Sequence, residues 1–133
     1  MDESARAAHI LRSFHRIAVV GLSDNPSRPS HGVASYLRAA GYEILPVNPR
    51  LRQWRDLPCY PDVRAVPPPV EVVDIFRRSE LVEPIVADAI AAGARAIWMQ
   101  DGVVNEAAAA AARAAGLLVI MDRCMLRDHR ALR

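Results

Sequence analysis

The chain has 133 residues, 52% of them apolar and 24% charged, which suits one folded domain with a real core rather than a disordered chain or an enzyme with a second substrate domain. Its formal net charge is +2 with the arginines scattered, which leaves no nucleic-acid footprint, and no apolar run approaches the roughly 18–20 residues that cross a bilayer. All 17 basic residues are arginine, so a Walker A phosphate loop, pyridoxal-phosphate attachment and Schiff-base chemistry, each of which needs lysine, are excluded.

The opening "MDESARAAHILRSFHR" carries charges through its apolar face, unlike a secretory leader, and about Glu3 to Phe14 is expected to form an amphipathic helix packed on the rest. "RIAVV" (16–20) follows as a first strand. In "SHGVASYLRAAG", Ser30 is placed as N-cap and Gly41 as stop of a helix whose Val33, Tyr36 and Leu37 form one buried stripe. "EILPV" (43–47) is a second strand.

The stretch 49–71, "PRLRQWRDLPCYPDVRAVPPPVE", is irregular where a crossover helix would ordinarily run. It is either a functional loop or a cover that tucks Trp54 and Leu57 against a sheet. "VVDIF" (72–76) is a third strand, and "SELVEPIVADAIAAG" a helix ending at Gly93, with Pro84 tolerated in its first turn. "RAIWM" (95–99), a helix capped by Asn105 and rich in alanine, and "LLVIM" (117–121) complete the alternation. The last residues, 123–133, read as a short polar tail or helix.

Short β-branched runs alternating with helical segments predict an α/β fold: a single Rossmann-like doubly wound domain over 1–133, with about five mostly parallel strands and helices on both faces. Ligands of such sheets bind beyond the carboxyl ends of the strands, near the point where strand order reverses. The first strand's exit, "VGLSDNPSRPSHG", is therefore the place to look.

A dinucleotide fingerprint would continue Gly21 with glycines two and five residues later, and Ser23 and Pro26 stand there instead. Nor does an acidic residue leave the second strand to grip a ribose diol; Asn48 does. What remains is a loop feeding a helix N-terminus, with Gly21 for close backbone approach, Ser23 and Ser30 for hydroxyls and Arg28 for a planar cation, a setting for phosphate. Arg50 and Arg52, after the second strand, offer a second anion site.

The segments "VGLSDNPSRPSHGVASYLRAAGYEILPVNP", "VDIFRRSE", "WMQDGVVNEAA" and "MDRCM", in this order from about Ile17 to His129, resemble the CoA-binding protein family. These are small stand-alone relatives of the CoA-binding domain in the succinyl-CoA synthetase alpha subunit. The resemblance implies coenzyme A, or an acyl-CoA, as ligand, whose pyrophosphate and 3′-phosphate would occupy the two anion sites. It implies that Gly21, Leu22, Ser23, Arg28, Ser30 and Gly32 line the pyrophosphate turn, and that Asn48, Pro49 and Arg50 flank the adenosine and its 3′-phosphate. Phe76 and Arg77 would meet the pantetheine arm, and Gln100 would contact it further along. The family loop often carries lysine where this chain has arginine or nothing.

No nucleophile paired with a base is evident, so no catalytic residue is assigned and the expected role is that of a carrier, sensor or regulatory module. Two alternatives stand: a subunit of an acyl-CoA-handling enzyme whose partner supplies catalysis, and an NAD(P)-binding regulatory domain. Cys124 and His129 lack further ligands for a metal. Cys124, beside Arg123, is instead a candidate redox thiol that could form a mixed disulfide if the CoA thiol ends nearby. Cys59 and Cys124 form neither a disulfide framework nor a CxxC pair, which points to a reducing cytoplasm. Partners other than the ligand, a homo-oligomer included, are left open.

Overall fold

The five apolar runs form strands because β-branched residues fit a pleated surface covered on both sides. In a computed structural model that describes residues 1–132, they are β1 (Arg16–Val20), β2 (Glu43–Val47), β5 (Val72–Ile75), β6 (Ala96–Met99) and β7 (Leu118–Ile120). Among the described residues these strands make one fully parallel sheet in the order β2-β1-β5-β6-β7. The order reverses between β1 and β5, so the chain leaves these two neighbours toward opposite edges and a crevice opens at their carboxyl ends.

Strand alternation sorts the side chains into two cores. On one side, Ile17, Val19, Ile44, Trp98 and Ile120 pack under α1 (Glu3–Ser13), α2 (Pro29–Ala39) and α5 (Met125–Arg130). On the other, Ala18, Val73, Ile75, Ile97 and Val119 pack under α3 (Val82–Ala91) and α4 (Glu106–Ala114). Seven alanines in "EAAAAAARA" give α4 its helix propensity, and Ala108, Ala109 and Ala112 let it lie close on the sheet. Asn105 caps it as expected, its side chain accepting the Ala108 N–H.

One expected helix start needs correction. Ser30 is not the N-cap of α2: Arg28 holds that position and Pro29 is the first helical residue, where its missing N–H costs nothing. Ser30 thus lies one residue inside the helix. Of the two readings of 123–133, the described residues take the helical one, with residue 133 outside them: α5 buries Met125 completely and docks beside α1 and α2. Asp128 pairs with Arg123, and His129 meets the Tyr36 hydroxyl at 2.8 Å.

The irregular stretch 49–71 carries its own order. Gln53–Trp54 (β3) and Leu57–Pro58 (β4) form an antiparallel hairpin, and a 3₁₀ turn covers Val63–Ala65. Val63, Val66 and Val70 fill the layer where a crossover helix would pack. Tyr60 bonds the outer edge of β2, donating its N–H to the Pro46 carbonyl at 2.9 Å. Pro46 is tolerated there because its missing N–H faces that outer edge. Trp54 is fully buried against the α2 side of the sheet, as a covering role requires.

Candidate functional site

The crevice begins at Gly21. Its backbone has φ +83°, and a β-carbon there would stand 2.4 Å from the Phe76 carbonyl oxygen, so the strand ends of β1 and β5 approach as closely as only glycine allows. The Gly21 N–H donates to Val47 O, and the Phe76 N–H to Val20 O, both at 2.9 Å. Three strand ends are thereby locked side by side.

The loop from Leu22 to Arg28 is held by side chains. Ser23 donates its N–H to Ser30 Oγ at 3.0 Å and accepts the Asn25 N–H on its own hydroxyl. Asn25 Oδ1 accepts both the N–H and the hydroxyl of Ser27, a self-bonded turn of the kind Asn and Ser favour. From below, Asn48 Nδ2 donates to Leu22 O and the Trp54 indole N–H to Ser23 O, each at 3.0 Å. Arg28 makes no side-chain cap to α2, Pro29 carries no N–H and the His31 N–H donates to Arg28 O at 3.1 Å, so the Ser30 N–H is what the positive end of the helix offers the crevice.

A cavity of about 790 Å³ lies over this platform, within the range that holds cofactors. Of the sequence candidates, Gly21, Ser23, Arg28 and Ser30 line one end. Asn48, Pro49 and Arg50 border it at the exit of β2, and Phe76, Arg77, Gln100 and Cys124 at the exits of β5, β6 and β7. Two candidates lie elsewhere. The Leu22 side chain is fully buried in the core, and only its carbonyl belongs to the loop. Gly32 sits exposed on α2 with nothing within 4 Å of where its β-carbon would be, away from the lining. The placement of Gly32 follows from the helix starting at Pro29, which turns position 32 outward. A second cavity of about 240 Å³ opens on the other side of Arg77, walled by Val47, Val63, Leu81 and Ile85.

Charge is distributed unevenly. Arg38, Arg64, Arg123 and Arg127 each hold a carboxylate at 2.6–2.8 Å, while among the described residues no carboxylate pairs with Arg28, Arg50 or Arg77. The one carboxylate in the lining, Asp101, is gripped by both terminal nitrogens of Arg127 at 2.9 and 2.8 Å. Three unneutralised guanidinium groups and a helix N-terminus thus face one cavity, which favours a ligand with several negative charges.

Sequence reasoning missed Pro29, Val33, Arg78, Asp101 and Val103 in the lining, as well as the supporting roles of Trp54 and Asp74. Asp74 lies fully buried in β5, where burial pushes its carboxyl up to about 7. Its oxygen Oδ1 accepts the amide of Gln100. The signal was a carboxylate inside a run of β-branched residues. Arg123 is spent on Asp128, at 2.9 and 2.7 Å, rather than on Cys124. Burial pushes the Cys59 thiol up, and Cys59 lies outside the larger cavity. No described helix is long and apolar enough to cross a membrane.

Comparison with known proteins bears on this geometry. The model of the family described as "CoA binding domain" matches residues 15–130. The uncharacterized protein YneT of Bacillus subtilis is 38% identical over 125 residues, spanning 94% of this chain and 93% of that protein. A solved hypothetical protein from Pyrococcus horikoshii OT3 is 37% identical with a TM-score of 0.94, covering 97% of this chain and 91% of the other. The dinucleotide-forming acetyl-coenzyme A synthetase 1 of Ca. Korarchaeum cryptofilum, solved with phosphate and ADP, is 28% identical with a TM-score of 0.72 over 84% of this chain, which matches 27% of that one. With its parallel sheet, its crevice at the strand-order reversal and a family match over nearly its whole length, this chain belongs to the CoA binding domain family.

Proposed function

We propose that the protein binds coenzyme A or an acyl-CoA in the larger cavity and acts through that binding, as a carrier, sensor or regulatory module. The observation that carries this is the convergence of Arg28, Arg50 and Arg77, none with a carboxylate partner among the described residues, on one cavity at the open N-terminus of α2. The pyrophosphate lies over the Gly21–Ser30 turn, where Arg28 and the Ser30 N–H meet it. The 3′-phosphate pairs with Arg50, whose backbone is fixed by its N–H donating to Asn48 Oδ1 at 2.9 Å. The pantetheine arm runs past Phe76 and Arg77 toward Gln100, so the thiol ends near Cys124. A mixed disulfide between Cys124 and the CoA thiol is then sterically reachable, and intact mass after incubation with CoA disulfide tests it. Two free thiols suit a reducing cytoplasm.

Calorimetric titration with CoA, dephospho-CoA, acetyl-CoA, NAD and NADPH tests the assignment. CoA is expected to bind, dephospho-CoA to bind at least tenfold more weakly, and acetyl-CoA to be recovered unchanged. Binding of the nicotinamide nucleotides alone would overturn it.

A further inference from the structure

Beneath the floor of the larger cavity lies a carboxyl group that the binding scheme above leaves unused. Asp74 stands level with Val19 of β1 and Trp98 of β6. Alternation turns it to the same side of the sheet as Phe76, two residues on, which lines the cavity. It is 0% exposed.

Gln100, also in the lining, connects the two levels. Its Oε1 accepts the Met125 N–H at 3.3 Å, and this fixes which way round the amide sits, because a turned amide would set its NH₂ against that N–H. Nε2 must therefore face Asp74 and donates one N–H to Oδ1. The second N–H of Nε2 is the polar group that Gln100 has left to offer the cavity.

Asp74 Oδ2 has no hydrogen-bond partner, and among the described residues no cation pairs with this carboxyl. Its register neighbours are the apolar Val19 of β1 and Trp98 of β6, in a core layer whose α2 and α5 members include Val33 and Met125. Gln100 is its neutral polar partner, and Cys124 packs against the same core layer from the segment before α5. An ionised carboxylate here would have neither water nor a counter-charge, so the neutral acid is its favoured form.

We propose that Asp74 is the positioning residue of the cavity floor: as the neutral acid it holds Gln100 with its second amide N–H toward a carbonyl of the ligand's arm, and ligand binding takes up a proton at this carboxyl. The inference rests on the CoA assignment for the same cavity. Phosphates brought into the same cavity raise the cost of a further negative charge beneath its floor. Ligand and proton therefore favour each other, each by the same factor.

The test is titration of wild type and Asp74 variants with CoA from pH 6 to pH 8, in pairs of buffers with different ionisation enthalpies, which counts protons taken up. The ligand's own phosphate also titrates near pH 6, at about 6, but it contributes equally to every variant. Wild type is expected to lose roughly three- to tenfold more affinity than Asp74→Asn over this range, and to take up an extra fraction of a proton near pH 7. Asp74→Leu, which removes the acceptor for Gln100, is expected to weaken binding at every pH, and Asp74→Asn to restore the affinity seen at pH 6. Parallel pH profiles for wild type and Asp74→Asn, or equal proton counts, would overturn the inference while leaving the CoA assignment intact. No binding of CoA at any pH overturns both, and the wild-type proton count stands even if a variant does not fold.

Discussion

At Gly21 a β-carbon would meet the Phe76 carbonyl at 2.4 Å on a backbone already at φ +83°. Gly21→Ala is therefore expected to cost roughly 2–5 kcal/mol, from the strained backbone and the displacement of β5's exit together. Gly32, a helical position with open space around it, is the control: Gly32→Ala should stabilise by about 0.5–1 kcal/mol. Thermal denaturation of the two variants checks both, and equal effects would contradict the close approach at Gly21. Asp74 gives a second residue-level expectation. Its carboxyl is pushed from 3.8 up to about 7 by desolvation, so between these values the folded chain keeps a proton that the unfolded chain has released. Its contribution is fully present below about pH 4 and is lost as pH rises through 7. The shift corresponds to about 4 kcal/mol. Urea unfolding of wild type and Asp74→Asn across this window should show wild type losing stability relative to the variant as pH rises; a constant difference would mean that Asp74 does not titrate there.

The β3–β4 hairpin is the element that replaces a crossover helix and supports the ligand loop. Trp54 donates its indole N–H to Ser23 O at 3.0 Å, with His31 of α2 edge-on to its ring at 5.3 Å. Trp54→Phe keeps most of the packing and removes the donor, so a loss of about 1–3 kcal/mol is expected, together with weaker CoA binding because the loop is released. Unchanged affinity in calorimetry, with stability reduced, would show that the hairpin supports the fold alone. This element also marks where the sequence stopped being legible. The five strands could be read within about a residue, because runs such as "RIAVV" carry their burial in their own composition. Stretch 49–71 could not, because Trp54, Val63, Val66 and Val70 are separated by prolines and arginines with no period, and only the sheet beneath them explains their burial. Ser30 was misplaced for a related reason, since a serine before an apolar stripe fits N-cap and first turn equally well until Pro29 takes the first helical position. The cavity's arginines were legible by residue type and by their place at strand exits. Asp74 stood out as a carboxylate among β-branched residues, but a strand pattern conceals that it lies under the floor of a cavity.

Across the whole molecule, a net charge of +2 conceals a partition of the arginines. Arg16, Arg38, Arg64, Arg78, Arg123 and Arg127 each have a carboxylate, whereas the cavity retains Arg28, Arg50 and Arg77 without one among the described residues. The ligand is thus expected to complete the charge pairing of the fold, and its binding to weaken as salt screens exposed guanidinium groups. Arg50 and the 3′-phosphate allow this to be tested as a pair. If they touch, Arg50→Ala should weaken CoA by roughly 10- to 100-fold, the worth of one charge-assisted hydrogen bond. The same substitution should barely change dephospho-CoA, which lacks the group Arg50 holds. The coupling is the ratio of these two effects, and it is insensitive to any general loosening of the loop after β2, which would weaken both ligands alike. Measured at low and at physiological salt, the ratio should shrink as salt rises, because Arg50 is exposed. A ratio near one at both would move the 3′-phosphate away from Arg50 and leave Arg77, which lies between the two cavities, as the cation to substitute next.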